Sequence, residues 1–162
     1  MLDDENYIRQ FDVSGALSFA SSEYNQAKFD YEILNQPSVA AGDIDNIIIS
    51  SIGAKSWLKN DITVPIDIIR TYDIPGYINE KTLVIANSYS GNTEETISFL
   101  DQASKRGAKV AVAAIGGKLV QIAQDKTYPH VIVPSSDQPR MAVISQLCAI
   151  TKILVGFRLV SD

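Results

Sequence analysis

Leu83-Val84-Ile85-Ala86 and, just after it, Ser88-Tyr89-Ser90-Gly91-Asn92-Thr93-Glu94-Glu95-Thr96 decide how this chain folds. Consecutive apolar residues read as a strand covered on both faces, which is the habit of parallel strands with helices packed on each side. The polar residues that follow turn the chain into a helix running from Asn92 to Arg106. Asn92 can cap it, Glu95 stands three residues on in capping-box spacing, Ile97, Leu100 and Ala103 form an apolar stripe, and Gly107 ends it. Lys105 and Arg106 suit the negative C-terminal end of the helix dipole. A strand that feeds such a helix needs a crossover to a parallel neighbour, so the expected class is α/β.

The same pattern recurs outward from this unit. Ile47 to Ile49, Val64 to Ile69, Val110 to Ile115 and Val131 to Val133 are further short apolar runs, making five expected strands with Leu83 to Ala86. Shorter helices are expected from Ala54 to Lys59 and from Lys118 to Lys126, and a long one from about Arg140 to Arg158. Toward the N-terminus, Leu17, Phe19, Ala20, Tyr24, Ala27, Phe29, Tyr31 and Leu34 recur mostly three or four apart, so Ser14 to Leu34 reads as one amphipathic helix, closed by the turn at Gln36 and Pro37. With no repeat, low-complexity tract or linker in view, residues 1–162 read as one domain, an N-terminal helical arm (1–40) and an α/β sandwich (45–162). Ligands of open α/β sheets collect at the carboxyl ends of the strands.

Composition narrows the function. Fourteen Lys and Arg against 19 Asp and Glu give a net charge of −5 with no basic cluster, so the phosphate-neutralising stripe of a nucleic-acid binder is missing. One cysteine, Cys148, excludes an internal disulfide, and one histidine, His130, excludes with it the usual zinc site of several His and Cys ligands. Neither a metal nor a cofactor is expected. No Gly-x-Ser-x-Gly elbow accompanies His130, which reads as a structural residue at the start of the fifth strand, and Cys148 reads as inert core packing. Met141 to Phe157 is interrupted by Lys152 and carries Ser145, Gln146 and Thr151, so it reads as a buried helix rather than a membrane span. Asp3, Asp4, Glu5 and Asp12 replace the basic n-region of a secretory signal, and the expected location is cytoplasmic.

The loop from Ser88 to Thr96 carries the chemistry. A phosphate at its centre would meet the free N–H groups of a helix N-terminus and the hydroxyls of Ser88, Ser90 and Thr93, while Gly91 lets the backbone approach closely. The plainer reading is a polar turn whose Ser and Thr cap the helix. Glu94 and Glu95 would repel a phosphate if aimed at it, and are assigned to the capping box and to solvent. Gly116-Gly117-Lys118 reads as a turn into a helix, with Lys118 near the ligand mouth; Trp57, Tyr72, Tyr77 and Tyr89 read as packing that could shape a pocket.

Ser88 to Thr96 after a strand resembles the signature loop of the sugar isomerase (SIS) domain family. Tyr72-Asp73-Ile74-Pro75, Leu83 to Ala86, Arg106-Gly107-Ala108-Lys109, Gly116-Gly117-Lys118-Leu119 and Gln138-Pro139-Arg140 extend the resemblance to the first half of bifunctional phosphoglucose/phosphomannose isomerases. It implies a five-stranded parallel sheet in a three-layer, flavodoxin-like α/β/α arrangement, and a hexose 6-phosphate ligand: fructose 6-phosphate, glucose 6-phosphate or mannose 6-phosphate. It also implies two SIS units around the site, here a homodimer. By the same resemblance Ser88, Ser90 and Thr93 hold the sugar phosphate, Gly91 and Asn92 are counted with them as phosphate-binding residues, and Arg140 lies near the reacting sugar.

The chain departs from that family at its first strand-to-helix turn, where a glycine-rich Gly-Met-Gly-Gly-Ser is replaced by Ser51-Ile52-Gly53-Ala54-Lys55. Lys55 and Ser56 could supply a charge and a displaced hydroxyl there, against the plainer reading of Lys55 as a solvated helix residue. The family's catalytic base, ring-opening histidine and nearby lysine belong to a second SIS domain or the partner subunit, so none carries over. Three readings follow: an aldose–ketose isomerase working as a homodimer, a hexose-phosphate-binding or regulatory module without turnover, and a flavodoxin-type FMN protein. The last is disfavoured because two strands precede the phosphate loop, which in flavodoxins follows the first.

Overall fold

Thr82–Asn87 forms the strand at the heart of the sheet, buried along its whole length. The computed structural model describes residues 4–21, 23–39, 42–50, 62–136 and 139–161. In chain order these hold α1 (Glu5–Phe11), α2 (Ala16–Ser21), α3 (Tyr24–Ala27), β1 (Ile33–Leu34), β2 (Asn46–Ser50), β3 (Ile66–Ile68), β4 (Thr82–Asn87), α4 (Glu94–Lys105), β5 (Lys109–Ala114), α5 (Gly117–Asp125), β6 (His130–Ile132) and α6 (Val143–Gly156). The helix expected from Ala54 to Lys59 lies outside the described residues.

The sheet runs β1-β6-β5-β4-β2-β3. β2, β3, β4, β5 and β6 are parallel, as the continuous apolar runs require. Alternate residues feed two cores. Ile47, Ile49, Leu83, Ile85, Ala111 and Val131 face one side, where Ile150, Ile153 and Leu154 of α6 cover them. Ile48, Val84, Ala86, Val112 and Ala114 face the other, under Phe99 and Leu100 of α4 and Leu119 of α5. Each of the larger of these side chains, the Ile, Leu, Val and Phe, contributes roughly 1.5–3 kcal/mol when removed from water, which sets the strand faces against any slip in register.

Two expectations need correcting. The sheet has a sixth strand, because β1 pairs antiparallel with β6 through Ile33↔Val131 and Leu34↔His130. Its cause is a period-two pattern hidden under the helical spacing: Tyr31 and Ile33 are buried while Glu32 and Leu34 are exposed. The single helix expected from Ser14 to Leu34 is accordingly two short ones, α2 and α3, followed by extended chain. Gly15, at φ +65, and Asp12 start α2, Asp12 accepting from Ala16 N at 2.7 Å and Leu17 N at 2.8 Å.

From β2 the chain moves outward to β3 and then returns past β2 to place β4 on its other side, so the winding direction reverses between β2 and β4. The carboxyl ends of adjacent strands separate there and leave a crevice. Gln102 Nε2 donates to Tyr72 O at 2.5 Å and Arg106 donates to Pro75 O at 2.7 Å, so the polar face of α4 fastens the segment that follows β3. No helix among the described residues is long and apolar enough to cross a membrane.

Candidate functional site

The crevice between β2 and β4 holds a cavity of about 750 Å³. Ser50, Asn87 and Thr96 line its floor; Ser88, Tyr89, Ser90 and Thr93 line the loop side; Val143, Leu147 and Ile150 of α6 form an apolar wall; Arg70 and Arg140 also line it. The cavity brings together Ser88, Ser90, Thr93 and Arg140 from the residues singled out in the sequence. Lys55 and Ser56, like Gly53 and Trp57, lie outside the described residues.

Thr93, not Asn92, is the N-cap of α4. Its backbone is extended, but its side chain makes no capping hydrogen bond. The hydroxyl is instead 2.7 Å from the buried Ser88 Oγ. With the cap shifted by one residue, the third helical position is Thr96 rather than Glu95, and the expected capping box is absent. The first turn of α4 therefore presents backbone N–H groups that no side chain of the cap satisfies, next to two paired hydroxyls and at the positive end of a helix dipole. That is the chemistry of an anion site. Ser50 Oγ donates to Thr96 Oγ1 at 3.3 Å beneath it, and Asn87 Nδ2 donates to Gln146 Oε1 at 2.9 Å.

Asn92 and Gly91 hold the loop rather than line the cavity. Asn92 Oδ1 accepts from Lys118 N at 3.0 Å, capping α5 instead of α4, and its Nδ2 donates to Ser90 O at 3.3 Å. Gly91 has φ +70, and a Cβ there would lie 1.9 Å from Gly116 O. The close approach that glycine permits is thus to the neighbouring strand-to-helix turn, where Gly117, at φ +71, meets Ser90 O in the same way. Backbone bonds complete the seam, from Ile115 N to Tyr89 O at 3.0 Å and from Leu119 N to Gly91 O at 2.9 Å. Tyr89 adds a further tie: its hydroxyl donates to Ser136 O at 2.7 Å and accepts from Ser136 N at 2.6 Å.

Glu95 lines the cavity, which corrects its assignment to the capping box, while Glu94 is exposed to solvent as expected. Tyr72, outside the cavity, has its phenol pushed up by partial burial and then by the Glu95 and Glu94 carboxylates. Tyr77 is exposed and donates to Asp67 Oδ2 at 2.8 Å; burial first and then that bond push it up to about 12. Lys118 is exposed and does not line the cavity.

His130 is 2% exposed, starts β6 and stays out of the cavity. Its Nδ1 faces Tyr128 O at 2.9 Å, so the hydrogen belongs on Nδ1. Cys148 is half-buried, and burial pushes its thiol up, away from the reactive thiolate. Among the described residues no group of three or more His, Cys, Asp or Glu is placed to hold a metal ion.

Sequence reasoning missed Ser50, Arg70 and Gln146. Ser50 ends β2 and Arg70 stands just past β3, so position at a strand's carboxyl end was the available signal. Gln146 carried none, since only the packing of α6 brings it under Asn87.

No protein-family profile matches the chain. A bifunctional phosphoglucose/phosphomannose isomerase from Caldicellulosiruptor bescii is 38% identical over 135 residues, a match covering 75% of this chain and 40% of the relative. The chain thus spans less than half the length of that relative. A solved structure described as a candidate sugar-phosphate isomerase from Listeria monocytogenes superposes with a TM-score of 0.59 at 16% identity, over 96% of this chain and 89% of that one. The NanR protein of Vibrio vulnificus, solved with ManNAc-6P, superposes with a TM-score of 0.54 at 16% identity, over 89% of this chain and 60% of that one. At such identities the two structures speak for the fold.

Proposed function

This chain is an SIS-domain protein, of the sugar isomerase family, and on that premise we propose that it binds a hexose 6-phosphate in the crevice between β2 and β4. The observation that carries the reading is the open first turn of α4, whose cap hydroxyl turns to Ser88 and leaves the backbone donors without a cap acceptor beside the cavity that Thr93, Glu95 and Thr96 line. The phosphate sits on those N–H groups and on the hydroxyls of Ser88, Ser90 and Thr93, and the sugar extends toward Arg140 and the α6 wall. Fructose 6-phosphate, glucose 6-phosphate and mannose 6-phosphate fit this description. The likeness to an enzyme named for phosphoglucose and phosphomannose supports the ligand class.

Aldose–ketose isomerisation opens the sugar ring, removes a proton from the carbon beside the carbonyl and returns it to the neighbouring carbon through an enediol. In this reading the chain supplies the phosphate grip and the Arg140 guanidinium, which stabilises developing negative charge on the enediolate oxygen. A second copy of the chain, closing over the cavity mouth, supplies the base. Val143, 62% exposed on the apolar wall, supports such a cover.

A module that binds without turnover is the second reading, and one observation favours it. Glu95 is the only carboxylate among the described residues lining the cavity, and it stands in the first turn of α4, the end to which this reading assigns the phosphate. Tyr89 is likewise the only aromatic ring among those residues, which gives a flavin no sandwich. A coupled assay of fructose 6-phosphate conversion to glucose 6-phosphate and mannose 6-phosphate, with binding titrated in parallel, separates the readings. Turnover lost in Ser90→Ala and Thr93→Ala supports the isomerase; binding without turnover supports the module; no binding sinks both.

A further inference from the structure

Gln26 belongs to α3, far from α6 in sequence, yet its side chain is bonded to the turn that precedes α6 and to the first turn of that helix. Its Nε2 donates to Met141 O at 2.7 Å, and its Oε1 accepts from both Ser145 N and Ser145 Oγ at 3.0 Å. Ser145 is 1% exposed, and Gln26 and Met141 are half-buried. Ala142, the N-cap of α6, has no side-chain oxygen to offer the first turn, and Gln26 supplies that acceptor from another element. Met141 adjoins Arg140, and Ser145 lies between Val143 and Gln146; Arg140, Val143 and Gln146 all line the cavity. The phosphate loop receives no hydrogen bond from Gln26.

We propose that Gln26 is a positioning residue for the sugar end of the site: by bridging Met141 and Ser145 it holds the Arg140 turn and the start of α6 in the attitude that meets the sugar body. The inference rests on the hexose 6-phosphate reading of the cavity. It separates the site into a phosphate pole on α4 and a sugar pole on α6, and gives control of the second to the arm. A residue that merely stabilised the fold would not discriminate between ligands that share the phosphate.

The test is calorimetric titration of fructose 6-phosphate and, separately, of inorganic phosphate into the full chain. The variants are Gln26→Met, Arg140→Ala and the pair together, with thermal melts alongside. Methionine keeps the length and packing of the side chain but neither its donor nor its acceptor. Gln26→Asn, one methylene too short to span both partners, carries the same expectation should the methionine variant fail to fold. The expected result is a weakening of fructose 6-phosphate by about three- to tenfold, with inorganic phosphate unchanged. In the Arg140→Ala background the same change has a smaller effect, because the two act through one contact. Unchanged fructose 6-phosphate affinity overturns the proposal, as does equal weakening of both ligands or full additivity with Arg140→Ala. Failure of the unmodified chain to bind fructose 6-phosphate overturns the site reading itself, and is distinguished by appearing before any substitution.

Discussion

Ser90 and Thr93 serve the same phosphate in the proposed site but differ in what surrounds them. Among the described residues Ser90 Oγ accepts a 3.3 Å bond from Asn92 N and is exposed, whereas Thr93 Oγ1 is the partner of the buried Ser88 hydroxyl. Both alanine variants are expected to lose about 1–3 kcal/mol of sugar-phosphate affinity by titration. Only Thr93→Ala should also lower thermal stability, because it orphans a buried hydroxyl at a cost of about 1–3 kcal/mol. Glycines divide in a similar way. Gly91→Ala forces a Cβ against the Gly116 carbonyl and should displace the loop, abolishing binding and lowering the melting temperature. Gly15→Ala has a similar φ but open space around it, so a melt should register only the left-handed penalty of roughly 1–2 kcal/mol. Equal effects of the two substitutions would remove the steric account of the loop.

At the scale of elements, Asp12 is the acid-sensitive joint of the arm. Hydrogen bonds from Leu17 N and then Ala16 N hold its carboxyl below its ordinary value. A depressed carboxylate contributes stability that is present above its unfolded value and is lost as pH falls through the folded one. The protection factors of the Ala16 and Leu17 amides, with the intrinsic pH dependence of exchange divided out, should therefore fall on acidification in that window, and Asp12→Asn should flatten the response. The same joint shows what a sequence reader can see. Ile47 to Ile49, Leu83 to Ala86 and Val110 to Ile115 were legible because burial on both faces leaves an unbroken apolar run. β1 was not, because two residues carry too little pattern and their register is set by β6, distant in sequence. The cap of α4 was misplaced by one residue because Asn92 and Thr93 are both good caps, and the choice is made by Lys118 N, which claims the Asn92 oxygen for α5. The site's hydroxyls could be found from one loop; its α6 wall and the hold of Gln26 on it could not, since those contacts close over 59 residues between Asn87 and Gln146 and 115 between Gln26 and Met141.

At the scale of the whole molecule, the cavity has an apolar wall on which Val143 is exposed, and a proposed second copy to cover it. If two chains complete one site, sedimentation should show a dimer, and isomerase activity per chain should fall on dilution through its dissociation range. Activity independent of concentration in a monomer would end that account. The seam between Gly91 and Gly117 adds a consequence for timing. Because the loop is fastened to the α5 turn by glycine contacts, two backbone bonds and the Asn92 cap, its shape is set when the chain folds, before any sugar arrives. Arrival of a phosphate then requires no slow rearrangement of backbone. In a stopped-flow experiment the approach to equilibrium should be a single exponential whose rate climbs linearly with ligand concentration, without the plateau that marks a shape change ahead of capture.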